Sequence, residues 1–395
     1  MPTTDPKNVK DIVTNLNAGW YNVVTEAMQV TDPNFQLAQG VLGLQTEDSS
    51  GLFLISDAVP EPAAVAYYDP SGLSKRSSAY QLLLASLLPE TGTDLAGFLK
   101  DMYPSWVEYR INYYKTNPTS TLTPQQVFSN WANQNLDPRK VAQAVNTFLQ
   151  AANAPLNQAL AAMADPASTQ KFLDTAQKSY LLYKYSATND GARAAINTGG
   201  TAIINFDSDS MNTTLKSTLV NGSASGFYEL FSGAASGSFE QLNTTAARQR
   251  FTINGTINKY ATLAVDPINW FNSAEFMRAY NAPNDNTVWD PQANAGTWDS
   301  FFGQPDGSLA ARVNALLLVS DYQITVTSLA EYTQEDYQKI QAEASLGFWP
   351  FFSASASATH ETKYELNSNA NLVVTHTLNK GLIQIWGAFV RNAPK

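Results

Sequence analysis

The chain has 395 residues, no cysteine, two histidines and a formal net charge of −10. The missing cysteines exclude disulfides, thiolate metal sites, iron–sulfur clusters and cysteine nucleophiles, and the acidic balance argues against binding nucleic acid or anionic lipid by bulk electrostatics. Charged residues make up only 15%, against about 25% in ordinary soluble domains. Asn, Ser, Thr and Gln take their place, and such a surface is weakly protected against self-association.

The N-terminus, "MPTTDPKNVKDIV", lacks a basic-then-apolar leader. No apolar run approaches the ~18 residues of a membrane-spanning helix. The expectation is a protein synthesised without a signal peptide, cytoplasmic or released by a non-classical route.

The first half reads as helices. Val9, Ile12, Val13, Leu16, Trp20, Val23, Val24 and Ala27 form one stripe at helical spacing. Thr123, Pro124 and Gln126 form a capping-box pattern, and Asp137–Pro138 opens the next helix. Helices are expected near 6–29, 76–88, 94–115, 124–134, 138–152, 155–164 and 168–185. "GLFLISDAV" (51–59) reads as a strand. Residues 186–202 collect Gly, Asn and Asp and read as a linker.

Beyond it the period changes to two. In 250–265, Phe251, Ile253, Ile257, Ala261, Leu263 and Val265 alternate with Thr252, Asn254, Thr256, Asn258 and Thr262. Residues 315–329 and 381–390 read as strands buried on both faces, with a helix near 332–343 between them and a polar loop over 281–308. The fold class is therefore α+β: a mainly helical half, 1–190, and a mainly antiparallel β half, 191–395.

No catalytic signature emerges. "LPETG" (88–92) lacks the apolar stretch and basic tail of a sorting signal. No phosphate-binding glycine loop is present. "NGSASG" (221–226) has Ala224 where a nucleophile elbow needs Ser. Asp207 and Asp209 lack the glycine and glutamate of a calcium loop. Four glycosylation sequons, at Asn212, Asn221, Asn243 and Asn254, follow from composition. Two carboxylates suffice for glycoside hydrolysis, but no pair among the acidic residues stands out. No catalytic residue, metal ligand or cofactor is assigned.

Two segments draw attention instead. With a turn centred on Ser368, His360 would face His376, on a side shared with Ala354, Ala356, Ala358, Leu372, Val374 and Leu378. The opposite side would carry serines, threonines and charges. Two facing imidazoles are a candidate pH-sensitive pair. A slip of two residues would keep the faces and separate the histidines. Residues 218–257 are likewise rich in Ser, Gly, Ala and Thr. Both segments (351–380 and 218–257) fit amphipathic hairpins, and Trp289, Trp298, Phe348 and Trp349 are candidate lipid-interface or glycan contacts.

The leading expectation is a non-catalytic protein that self-associates through its β-rich half as a homo-oligomer. The first alternative is a toxin-like pore-former inserting β-hairpins into a membrane; the second is a carbohydrate-binding or carbohydrate-active protein.

Overall fold

The computed structural model describes residues 6–43, 48–60, 65–67, 75–89, 94–117, 122–173, 176–214, 249–291, 293, 295–304, 306–342 and 360–393. It opens with α1 (Pro6–Ala27), β1 (Phe35–Gly43), α2 (Ser50–Ser56), β2 (Val65–Tyr67) and α3 (Arg76–Ala85). A helical run follows: α4 (Leu95–Leu99), α5 (Tyr103–Thr116), α6 (Pro124–Asn135), α7 (Pro138–Asn153) and α8 (Pro155–Ala164). Then come β3 (Thr169–Leu173), β4 (Ser179–Tyr183), α9 (Asn189–Asn197), β5 (Gly200–Asp207) and β6 (Phe251–Ala264). The chain closes with α10 (Ser273–Tyr280), α11 (Trp298–Phe302), β7 (Ala311–Glu331), α12 (Gln334–Ala342), β8 (His360–Leu366) and β9 (Asn371–Asn392). The α+β class holds, with most helices early and an antiparallel sheet late.

The sequence-read caps are present. Thr123 Oγ1 accepts from Gln126 N at 3.3 Å while Gln126 Oε1 accepts from Thr123 N at 2.8 Å, and Asp137 Oδ1 accepts from Arg139 N at 2.9 Å. Each satisfies a backbone donor that the first helical turn leaves without an internal partner.

Three local expectations are corrected. The 51–59 strand is instead the short helix α2, whose Leu52, Phe53 and Ile55 are all buried; a short apolar run does not by itself separate strand from helix. The 168–185 helix is instead the β3–β4 hairpin. There Phe172 pairs with Tyr180, Gln177 takes a left-handed φ of 61°, and aromatic cross-strand packing outweighs helical spacing. The 186–202 linker contains α9, capped by Thr188 and burying Ala192 and Ile196.

The main sheet runs β2-β1-β9-β7-β6-β5, with β8 also on β9. All pairs are antiparallel except β1 with β2. β9 has β7 along one edge. Its other edge is shared by β8, opposite 372–378, and β1, opposite 384–389. Strands from both halves of the chain thus build one sheet, and the expected boundary near 190 does not separate the cores. Gly387 is required where β1 crosses β9: a Cβ there would stand 2.6 Å from Gln36 O.

Three apolar clusters surround this frame. The first packs α1, through Leu16, Trp20, Tyr21 and Val24, on one sheet face. The second covers the opposite face with α2, α3, α8, α9 and α10. The third, built on Trp106, Phe128 and Trp131, lies inside α4–α7.

A line of irregularities crosses the sheet. Between Ser320↔Ile383 and Tyr322↔Leu378, the single residue Asp321 opposes Asn379–Leu382. Asp321 has φ 51° and Gly381 φ 91°. Side-chain alternation slips by one there. Leu317 and Val319 face α1 before the bulge, and Tyr322, Ile324 and Val326 face it afterwards. β6 slips in step: Phe251, Ile253 and Ile257 join the α1 cluster, while Ala261, Leu263 and Val265 join the opposite one. That corrects the single face expected for β6, because a bulge exchanges the two sides of a strand.

The Gly387 crossing gives a direct test. Gly387→Val is expected to destabilise the protein by about 1–3 kcal/mol through overpacking against β1, measured by chemical denaturation.

Candidate functional site

Beyond the bulge line, one face of the sheet lies on α1 and the other is left open by the described residues. Three rows of paired residues cross the open face. They read Asp207–Thr252–Thr327–Val373–Glu365, Asn205–Asn254–Thr325–Thr375–Lys363 and Ile203–Thr256–Gln323–Thr377–Glu361. Thr325 and Thr375 hydroxyls lie 3.4 Å apart. Ile203, 66% exposed, is an apolar member of this otherwise largely polar surface. Among the described residues nothing pairs with the outer edge of β5.

At this end of the sheet two long connections leave. Asp207, opposite Thr252, starts the β5–β6 connection; Glu331, opposite Asn371, starts the β7–β9 connection. α1 holds the first at its origin. Asn22 Nδ2 donates to Asn212 O at 2.7 Å and to Thr214 O at 3.0 Å. Gly19 allows the close approach, since a Cβ on it would stand 2.7 Å from Met211 Sδ. The second connection contains α12, whose Tyr337 hydroxyl donates to Tyr364 O at 2.8 Å. A cleft of about 510 Å³, lined by Gln334, Tyr337, Glu365, Leu366, Asn367 and Val373, remains between α12 and the β8–β9 turn.

The β8–β9 hairpin keeps its expected faces but not its expected register. Thr362 opposes His376 and His360 opposes Leu378, so the two histidines do not face each other. The cause is the turn. Ala370 adopts φ 58°, Ala370 N bonds Asn367 O at 3.0 Å, and Asn367 Oδ1 accepts from Asn369 N and Asn371 N. This three-residue loop centres the hairpin on Asn369, two positions of pairing away from a centre at Ser368. His376 is 5% exposed, with Nδ1 3.1 Å from Thr362 Oγ1. No metal-holding group of three His, Cys, Asp or Glu occurs among the described residues.

The hairpin's apolar face lies against the protein's own core. Leu372, Val374 and Leu378 belong to the α1 cluster, with Tyr364 and Leu366 packed on it. Ala354, Ala356 and Ala358 lie outside the described residues, as do Phe348, Trp349 and most of 218–257. The tryptophans expected as surface contacts are turned inward. Trp289 is 7% exposed and donates Nε1 to Ala282 O at 2.7 Å; Trp298 is partly buried and donates to Tyr280 O at 2.8 Å. They anchor the 281–308 segment, which is not all loop as expected but contains α11, because an indole N–H in a core needs a carbonyl partner.

One charged cluster escaped the sequence reading. Asp57 accepts from Ser77 N at 2.8 Å, Ser77 Oγ at 2.6 Å and Tyr185 OH at 2.8 Å. Arg76, buried beside it, has its pKa lowered to about 10 by desolvation, and its guanidinium sits 5.4 Å and 5.6 Å from the Phe271 and Phe276 ring centres. Burial raises the Asp57 pKa, opposed by its hydrogen bonds to Ser77 and Tyr185. These residues are far apart in the chain, so no spacing announces them. The knot joins α2, α3 and the segment after β4, and works as an internal tie.

Because the folded Asp57 pKa is raised, its contribution is complete below the unfolded value of 3.8 and is lost as pH rises through the folded value. Asp57→Asn is therefore expected to flatten the pH dependence of stability above about pH 4. Asp57→Leu strands three donors and is expected to cost about 1–3 kcal/mol for each. Denaturation curves across pH check both.

No protein-family model, curated protein or solved structure matches the chain.

Proposed function

We propose that this chain is a pore-forming protein that self-associates through its β-rich half and extends its sheet into a membrane. The carrying observation is the common origin of the two long connections, at one end of the meander β5–β6–β7–β9. Between Asp207 and Phe251 lie 43 residues, and between Glu331 and Asn371 lie 39. The first exceeds two strands of ~10 residues plus a turn, the length that crosses a bilayer, and the second does so when α12 and β8 are counted with it. Extended, the two hairpins would lie side by side, because β6 and β7 are already paired.

Composition supports the same reading. Residues 215–248 carry only Lys216, Glu229, Glu240 and Arg248, and residues 344–359 carry no charge. In the sequence just before β8, Ser353, Ser355, Ser357 and Thr359 alternate with Phe352, Ala354, Ala356 and Ala358. That alternation suits a strand with water on one side and lipid on the other. The packing of Tyr364, Leu366, Leu372, Val374 and Leu378 narrows the inserting stretch to the residues before β8, and that of Phe251, Ile253 and Ile257 narrows the other to the residues before β6. No described helix is long and apolar enough to cross a membrane.

Self-association is an obligatory part of this reading, since an open sheet edge in lipid leaves backbone groups unpaired. The outer edge of β5, unpaired among the described residues, is the natural pairing site. The same edge also favours a second reading, a homo-oligomer that assembles without perforating membranes.

The absence of native cysteine permits a clean test. A Cβ on Gly19 would stand 3.0 Å from Met211 Cβ, slightly inside the ~3.5–4.5 Å usual for a disulfide. The expected result for Gly19→Cys/Met211→Cys is silence in liposome dye release when oxidised and leakage once reduced. Wild-type protein that releases no dye from any lipid mixture across about pH 5–7.5 would sink the pore reading. If light scattering then shows oligomers, the second reading stands.

A further inference from the structure

We infer that the outer face of α5 is a docking surface for anionic lipid headgroups. This inference rests on the membrane reading above and names the surface through which the protein first meets its target.

α5 carries two apolar stripes. The inner one packs Trp106, Tyr109 and Tyr113 into the third cluster, with Trp106 set edge-on to Phe128 at 4.8 Å between ring centres. The outer one comprises Tyr103, Val107, Ile111 and Tyr114, spaced to share one side of a helix. Tyr103, Ile111 and Tyr114 are 36%, 57% and 40% exposed. A shallow groove of about 430 Å³ runs along this face, lined by Tyr103, Pro104, Val107, Glu108, Ile111 and Asn112. Isolated exposed apolar side chains are ordinary, but an aligned row marks a contact surface.

Charge identifies the occupant. At ~100° per residue, Arg110 flanks the stripe on one side and Lys115, with Glu108 next to it, on the other, and all three are exposed. Over residues 95–153, Lys100, Arg110, Lys115, Arg139 and Lys140 outnumber Asp101, Glu108 and Asp137, a net +2. The remainder of a −10 chain is then −12. The helical unit is thus net cationic within an acidic protein. Bulk charge repels an anionic membrane, while this unit presented first does not. An apolar ridge edged by cations is the pattern of an interfacial helix, whose apolar side sinks to the acyl boundary while Lys and Arg meet headgroups. Tyrosine suits that depth, with an apolar ring and a polar hydroxyl.

The test is flotation with phosphatidylcholine vesicles, with and without phosphatidylserine, using the oxidised Gly19→Cys/Met211→Cys protein so that binding is read without leakage. The expected result is binding to the phosphatidylserine vesicles that falls as salt rises. Ile111→Asp is expected to weaken it about tenfold, and Arg110→Glu/Lys115→Glu by a similar factor, with unchanged thermal unfolding since these side chains are exposed. Equal binding by Ile111→Asp, or no binding of the parent protein to either vesicle, overturns the inference. So does Ile111→Asp breaking an oligomer in sedimentation while vesicle binding persists, which assigns the ridge to a second copy. Binding that depends on α5 without dye release from the reduced protein leaves this inference standing and removes the pore reading alone.

Discussion

The bulge at Asp321, where one residue of β7 faces four of β9, sets the terms for the rest of the molecule. Inserted residues exchange the faces of a strand. Below the line, β7 and β9 are covered on both sides, by α1 on one and by the second cluster on the other. Above it, one side still lies on α1, and the other carries Thr, Asn and Gln rows that no described residue covers. Asn258 follows β7 through the step, donating Nδ2 to Asp321 Oδ1 at 3.1 Å. The functional reading concerns only the upper half, and the lower half anchors it.

The anchoring is of two kinds. The lower half is tied by buried polar groups: the Asp57–Ser77–Tyr185 cluster, and Glu275, fully buried, paired with Arg278, which also donates to Leu88 O at 2.8 Å. Losing one partner from such a group leaves another stranded in a core, which makes the lower half costly to rearrange. The upper half is held by Asn22 on two carbonyls, Tyr337 on Tyr364 O and contacts at Met211. Neutral hydrogen bonds of this sort contribute about 1 kcal/mol each. Among the described residues, these contacts fix where the two connections leave the sheet.

Much of the fold was legible because its signals are local. The α1 stripe, the Thr123 and Asp137 caps and the period-two strands each arise within a few residues, and each appears in the structure. The hairpin faces were legible for the same reason, since parity survives a slip of two. The register was not, because it depended on Ala370 adopting a left-handed backbone in the turn. α2 and the β3–β4 hairpin were misread where a short apolar stretch fits either period and burial decides. Trp289 and Trp298 look like surface groups in the sequence because nothing in its local pattern reveals the Ala282 and Tyr280 carbonyls that receive them.

By itself the sequence determined the excluded chemistries, the helical and β-rich halves, and the two-sided character of the segments around the histidines. Those properties follow from residue type and spacing alone. Tertiary structure decided that both halves share one sheet, that Leu372, Val374 and Leu378 belong to the protein's own core, and that the long connections start at one end of the meander. Each of these depends on pairing between residues far apart in the chain, and on bulges whose effect is to exchange faces. A periodic pattern says which side chains lie together, but only the packed sheet says what they lie against.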